Sequence, residues 1–143
     1  MHVRRATVQD APRIRALIDL YVPSGTLLPR DEEFVATRAY EYLVAEADEE
    51  VVGCVHLDEY SPSLGELRSL AVAPEWQGQG VGRALVEACE RFARRRGYAT
   101  LFAVSNDDTF FARHGFAPRH IPELDRERSE VSRFKGVYAK DLE

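Results

Sequence analysis

Cysteine is too scarce in this chain to staple it. Cys54 and Cys89 are the only two among 143 residues, each alone in an apolar stretch. That pattern excludes a disulfide framework and leads us to expect a reducing compartment, the cytoplasm. Cys54 and His56 fall on one strand face, but no second pair at ligand spacing accompanies them, so no metal is expected. No apolar run approaches the length of a membrane-spanning helix. The start, Met-His-Val-Arg-Arg-Ala, has no apolar stretch behind its charges, so no secretory signal is expected. Positive charge is also in deficit. Nineteen Lys and Arg face twenty-four Asp and Glu, for a formal charge of −5. Nucleic acid and anionic membrane are thereby excluded as main partners, and Arg94-Arg-Arg96 reads as basic residues suited to a helix C-terminus. There are no repeats, low-complexity segments or linkers. What remains, 45% hydrophobic and 30% charged residues, is the composition of one globular domain over 1–143, large enough to bury about two thirds of its unfolded surface.

Against that ordinary background one stretch stands out. An apolar strand, Leu67 to Val72, stops at Pro74, and a turn with Gly78, Gly80 and Gly82 spaced two apart leads at once into an amphipathic helix. A helix start carries unpartnered amides and partial positive charge, which suits a phosphate. Glycine lets backbone approach that phosphate closely and adopt unusual torsions. A bare strand-to-helix connection needs one glycine rather than three. The spacing is neither Gly-x-Gly-x-x-Gly nor a loop ending in Gly-Lys-Ser/Thr, so dinucleotide and nucleotide fingerprints are both absent. The stretch reads as a pyrophosphate cradle.

Elsewhere the periodicity alternates between strand and helix. Val3 to Ala6 is a first strand. Ile14, Leu17, Ile18 and Tyr21 recur at helical spacing, after a cap at Thr7 or Asp10; Pro12 in the first turn favours Asp10. Residues 22–30 form a loop and 31–39 a short helix. Tyr42 to Ala47 and Val51 to Leu57 are strands joined by a hairpin at Asp48-Glu49-Glu50, and Gly65 to Val72 is the next strand. Gly80 to Arg96 is a central helix about 25 Å long, buried through Val81, Leu85, Cys89 and Phe92 and ended by Gly97. Thr100 to Val104, Phe116 to Arg119 and Gly136 to Ala139 are closing strands, with a short helix at Asp107 to Arg113. This is an α/β pattern: a mixed sheet with helices on both faces. Ser105, His114 and the aspartates at 107 and 108 lack a nucleophile-elbow sequence; His114 reads as a packing or surface residue.

Gln77-x-x-Gly80-x-Gly82 after Leu-Ala-Val-x-Pro resembles the acetyl-CoA motif of the GNAT N-acetyltransferases. Phe110-Phe-Ala-Arg-His-Gly-Phe116 resembles the Phe-Tyr-x-x-x-Gly-Phe segment that closes their core, and Val52-Gly-Cys-Val their third strand. Within the family, Thr26-Leu-Leu-Pro-Arg30, Val52-Gly-Cys54 and Glu66-Leu-Arg-Ser-Leu-Ala-Val72 look most like the acetyltransferase domain of N-acetylglutamate synthases. An amino-acid-kinase domain often precedes that domain; none is present in this sequence. The resemblance implies the GNAT fold, a mixed sheet of about six or seven strands splayed at the acetyl-CoA site and flanked by about four helices. Homodimers are common in the family.

The resemblance further implies acetyl transfer from acetyl-CoA to an amine, in the first place the α-amino group of L-glutamate at the first step of arginine biosynthesis. The alternatives are another small amine or a protein N-terminus, or a non-catalytic acyl-CoA-binding module. Cofactor contacts are implied at Leu70, Ala71 and Val72 for the pantetheine arm and at Gln77, Gly78, Gln79, Gly80, Val81, Gly82 and Arg83 for the pyrophosphate. Asn106 and Phe111 complete that set. Arg83 either adds charge to the cradle or is simply solvated. An α-ammonium must lose a proton before it can attack. Glu66 is the expected base, on one strand face with Arg68, Leu70 and Val72 by alternation; the other reading is an exposed glutamate at a strand start. Many relatives protonate the departing thiolate from a tyrosine where this chain has Phe111, so its general acid stays open. Two carboxylates on the acceptor call for arginine forks, expected from Arg30 and Arg68. Arg126, Arg128, Arg133 and Lys135 lie on a late segment that touches substrate in the synthases and also fits a solvated loop.

Overall fold

Alternating apolar residues between 42 and 72 build the centre of the sheet. The computed structural model describes residues 1–124 and 135–142. Strands β1 (His2–Arg5), β2 (Tyr42–Ala47), β3 (Glu50–Ser61), β4 (Leu64–Val72), β5 (Thr100–Ser105), β6 (Ala117–Pro118) and β7 (Gly136–Asp141) form one sheet in the order β1-β2-β3-β4-β5-β7-β6. All neighbours are antiparallel except β4 and β5. Helix α3 (Val81–Arg95) covers one face. Its Leu85, Val86, Cys89 and Phe92 pack with Leu43, Val55, Leu57 and Leu67. Helices α1 (Ala11–Asp19) and α2 (Glu32–Thr37) cover the other, where Ile14, Leu17, Ile18 and Val35 meet Tyr42, Val44, Cys54 and Ala71. Each such fully buried large apolar side chain contributes about 1.5–3 kcal/mol. The short α4 (Asp108–Arg113) is capped by Asp107, whose carboxylate accepts the Phe110 amide at 3.0 Å.

Local departures from the expected elements have local causes. The β2–β3 turn places Asp48 and Glu49 at φ 50° and 62°, the twist a tight hairpin needs. Strand β3 does not stop at Leu57: Asp58, Glu59 and Ser61 pair with Glu66, Gly65 and Leu64, so a polar stretch becomes strand through its partner. Strand β6 shrinks to two residues, because Pro118 has no N–H for a ladder. Asp10 does not cap α1 with its side chain. A one-turn 3-10 helix, Val8–Asp10, precedes α1, and the Asp10 carboxylate turns back to the Thr7 amide (2.8 Å) and to Arg4 (2.8 Å). Asp31 does cap α2, accepting the Phe34 amide at 2.7 Å, and Gly97 ends α3 at φ 84°.

Two irregularities in β4 shape the cleft. Strands β4 and β5 pair only at Leu64↔Thr100, Gly65↔Leu101 and Glu66↔Phe102, after which they part. Strand β5 keeps its β7 partner as far as Ser105↔Gly136, so, among the described residues, 67–72 of β4 have no strand neighbour on that side. The second irregularity is a bulge. Cys54 pairs with Ala71 and His56 with Arg68, which leaves Val55 on β3 opposite Ser69 and Leu70 on β4, with Ser69 at φ 53°. An extra residue inverts the alternation beyond it. Glu66 and Arg68 therefore face the α1/α2 side, whereas Leu70 and Val72 pack toward α3 and Ala71 turns to the α1/α2 side. The expectation that Glu66, Arg68, Leu70 and Val72 share one face is corrected by this bulge. A left-handed residue without glycine costs of order 1–3 kcal/mol. Ser69→Gly is accordingly expected to hold or raise the urea midpoint. Ser69→Val, β-branched at the same torsion, is expected to lose roughly 1–3 kcal/mol in the same titration.

Candidate active site

The cofactor side of the cleft follows from the unpaired edge of β4. The Ala73 amide donates to Val52 O on β3 (2.8 Å), so by alternation the Val72 and Leu70 amides point the other way, into the gap. The Val72 carbonyl faces the gap too, and the Tyr21 hydroxyl donates to it. Backbone groups at such an edge need a partner, and an extended chain of amides suits them. Beyond the edge, Gly78 and Gly80 sit at φ 76° and 84°, with nothing within 4 Å of where a Cβ would stand. Gly80 is the N-cap of the fifteen-residue α3 and offers no side-chain cap, so the first amides of that helix have no intrahelical partner. Gly82 is helical; a Cβ there would lie 3.6 Å from the Phe110 ring. These features fit the pantetheine and pyrophosphate of a CoA. The cleft encloses ≈ 1710 Å³, beyond the roughly 300–1,000 Å³ of a single-ligand pocket and large enough for a cofactor and an acceptor together.

Residues named from the sequence distribute unevenly around this cleft. Leu70, Val72, Gln77, Gly78, Gly80, Val81, Gly82, Arg83 and Phe111 line it, together with Arg30, Glu66 and Arg68. The Val81 side chain is buried in the core, so only its backbone is presented. Ala71, Gln79 and Asn106 are not in the lining. The bulge turns Ala71 away, the Gln79 amide folds back onto Glu75 O (3.1 Å), and Asn106 is exposed, with Ser105 and Asp107 at the wall instead. Gln77 is turned from the glycine loop toward Tyr21, donating to its hydroxyl at 2.6 Å. Arg83 is exposed and paired with Glu87 at 2.9 Å. Phe111 is buried edge-on against Phe116 and stacked on Tyr138. Arg126, Arg128 and Arg133 lie outside the described residues. Lys135 lines the cleft and ties down the loop after α1 through Gly25 O and Thr26 O (2.9 and 3.2 Å).

The acceptor side lies beneath α2, where charges concentrate at low exposure. Glu66 is 17% exposed, with Arg68 Nε 3.8 Å away. Burial pushes its carboxyl up to about 7; Asp58 adds to the rise, and Arg68 and Arg30 oppose it. Arg68 is held by Asp58 at 2.9 Å. Arg30 is half-buried over the Phe34 ring (5.2 Å). Burial and the neighbouring Arg68 lower its pKa. Its Nε is buried with no hydrogen-bond partner among the described residues. Arg30 and Arg68 both line the cleft, and positive charge held at low exposure is the kind that attracts an anion. Alongside stand Glu41, His56 and Asp58, whose polar atoms lie within 4.8 Å of one another. The charge they face is the Arg68 guanidinium.

Tyr21 and Asp58, which line the cleft, were missed, as were Glu41 and His56, which stand behind Asp58 without lining it. Tyr21 belongs to the helical apolar stripe with Ile14, Leu17 and Ile18 and so reads as core. Asp58 lies past the last alternating position of β3. His56 reads as a lone histidine without a partner, and only the sheet register supplies one.

Residues 38–118 match the model of the acetyltransferase (GNAT) domain. The chain is 33% identical over 114 residues to an uncharacterized N-acetyltransferase of Chlorobaculum tepidum, covering 80% of this chain and 74% of that protein. It is 37% identical over 117 residues to an amino-acid acetyltransferase of Mycobacterium tuberculosis, covering 80% and 67%. Among solved structures, N-acetylglutamate synthase from Neisseria gonorrhoeae, complexed with coenzyme A and N-acetyl-glutamate, superposes with a TM-score of 0.91 at 30% identity. That alignment covers 99% of this chain but 35% of the synthase, so the chain spans about a third of that enzyme's length. Rv2747 from M. tuberculosis, solved with CoA, gives a TM-score of 0.88 at 29% identity over the whole of both chains. No helix among the described residues is long and apolar enough to cross a membrane. Matched by the domain model over more than half its length and by two relatives over four fifths of it, the chain belongs to the GNAT family of acetyl-CoA-dependent N-acetyltransferases.

Proposed function

We propose that this protein acetylates the α-amino group of L-glutamate from acetyl-CoA, as the first step of arginine biosynthesis, within a single domain over 1–143. The observation that carries the reading is Arg30: half-buried beside Arg68 at the mouth of the acceptor side, with a buried Nε that has no partner among the described residues. Arg68 is already paired with Asp58, so a carboxylate on the acceptor would answer to Arg30. The synthase and amino-acid acetyltransferase relatives support the same choice.

In this reading Glu66 takes the proton from the substrate ammonium. A carboxyl pushed up to about 7 is matched to that task at neutral pH, ionised often enough to accept and basic enough to pull. Bound acetyl-CoA supplies the activated acetyl thioester. The Leu70 and Val72 amides at the β4 edge are placed to donate to charge developing on a carbonyl oxygen. The first amides of α3 and the Gly78–Gly80 turn hold the diphosphate. Phe111 has no proton to give. A thiol titrates near pH 8.5, so the departing thiolate is protonated by water.

Release of free CoA thiol across glutamate, other amino acids, polyamines and a short peptide tests the acceptor. Glutamate alone is expected to turn over, and turnover with another amine alone would overturn the assignment. Glu66→Gln is expected to lower kcat by about 10²–10⁴-fold with acetyl-CoA affinity retained. The sign with pH follows from the raised carboxyl: wild-type kcat/KM should fall as pH drops through about 7, where Glu66 becomes protonated. Glu66→Gln should lack that limb. Arg30→Ala should raise the glutamate KM by about 10–100-fold, the loss of one or two charged hydrogen bonds, without changing acetyl-CoA binding in calorimetry.

A further inference from the structure

We propose that His56 and Glu41 form the exit through which the proton taken up by Glu66 leaves the acceptor side of the cleft, making His56 a proton-accepting residue behind the base. The proposal rests on the reading of Glu66 as base. Its origin is stoichiometric. When an ammonium and a thioester become an amide and a thiol, an N–C bond forms and a C–S bond breaks. The nitrogen gives up two protons, sulfur takes one, and the other must reach solvent in every turnover. Glu66, at 17% exposure and flanked by Arg68, keeps little contact with solvent.

The sheet register supplies a way out. Asp58 pairs across the strands with Glu66, and His56 with Arg68, so all four side chains share the α1/α2 face. His56 has no solvent exposure. One ring nitrogen, Nε2, lies 2.7 Å from Glu41 Oε1, and the other, Nδ1, is buried without a partner among the described residues. A ring with one nitrogen on a carboxylate and the other without a committed partner can take a proton at one nitrogen and give one up from the other. Glu41 is 19% exposed and opens the far end to solvent. Gaps of up to 4.8 Å between the polar atoms of Glu41, His56 and Asp58 are those a bridging water spans.

The surroundings keep the ring in one orientation and keep it neutral at rest. Tyr42 from β2 stacks on it at 4.2 Å, and Phe34 from α2 meets it edge-on at 6.2 Å. Arg38 lies over the Phe34 ring, as does Arg30. Burial holds the imidazole below its usual value, against the pull of Glu41 and Asp58 and with the push of Arg68. A divalent cation among Glu41, His56 and Asp58 would compete with the Arg68 guanidinium 2.9 Å from Asp58. That pairing favours proton traffic over metal binding.

The test compares His56→Gln and Glu41→Gln with wild type at saturating acetyl-CoA and acceptor, in weak buffer and then with increasing imidazole. Loss of the exit should lower kcat by about tenfold or more, leave the acetyl-CoA KM unchanged, and be restored by imidazole, a mobile proton carrier. A purely structural histidine would give a loss that imidazole does not repair. That outcome, or full kcat in both variants, overturns the proposal. Histidine 15N NMR of the free protein gives a second readout that needs no turnover. The His56 titration should shift in Glu66→Gln if the two groups exchange protons; an unmoved titration also overturns it. If Glu66→Gln itself keeps full activity, the reading of Glu66 as base fails. If Glu66→Gln is inactive while His56→Gln is not, the exit alone fails.

Discussion

Everything in the cleft depends on β4 and β5 ceasing to pair after Glu66 and Phe102. A parallel pair that continued would satisfy its own backbone and leave a closed sheet. By parting, the strands expose the β4 edge at residues 67–72 to the middle of the molecule. The edge stays available because β5 is fully occupied by β7 and β4 by β3. Hydrogen-bonding capacity is thus stored where an amide-rich arm can take it up. The α3 start stands at the end of the same strand, so the groups for pantetheine and for phosphate lie in line.

The bulge at Ser69 divides labour along that strand. Below it, Glu66 and Arg68 face the acceptor helices. Above it, Leu70 and Val72 face α3 and Ala71 is turned away. One extra residue in a left-handed conformation therefore lets a single strand serve acceptor chemistry on one face and cofactor packing on the other. Tyr21 joins the two halves, since its hydroxyl meets both the Val72 carbonyl at the cofactor edge and the Gln77 amide at the phosphate turn.

Electrostatics on the acceptor side follow from burial more than from net charge. The chain is acidic overall at −5, yet the acceptor side gathers Arg30 and Arg68 at reduced exposure. Asp58 neutralises one of them, leaving Arg30 with an unsatisfied donor. The same desolvation lowers Arg30 and lifts Glu66, so one low-dielectric environment shifts a guanidinium and a carboxyl in opposite directions.

The order of elements was legible in the sequence, because helical and strand periodicities, the Gly97 stop and the Gly78–Gly82 turn are local signals. The cofactor cradle was legible for the same reason: a helix start after a glycine turn carries its chemistry in consecutive residues. Glu66 and Arg68 could be named from position, but not the face they share. Their separation from Leu70 and Val72 comes from a bulge that simple alternation along one strand cannot show. Glu41 joins His56 and Asp58 only through the pairing of β2 with β3, where Tyr42 lies opposite His56 and the turn before β2 brings in Glu41 from fifteen positions away. The sequence by itself determined where a glycine turn opens the start of the long helix. The tertiary structure alone decided which side chains would share a desolvated cleft, because register and burial are properties of strands brought together and not of any one of them.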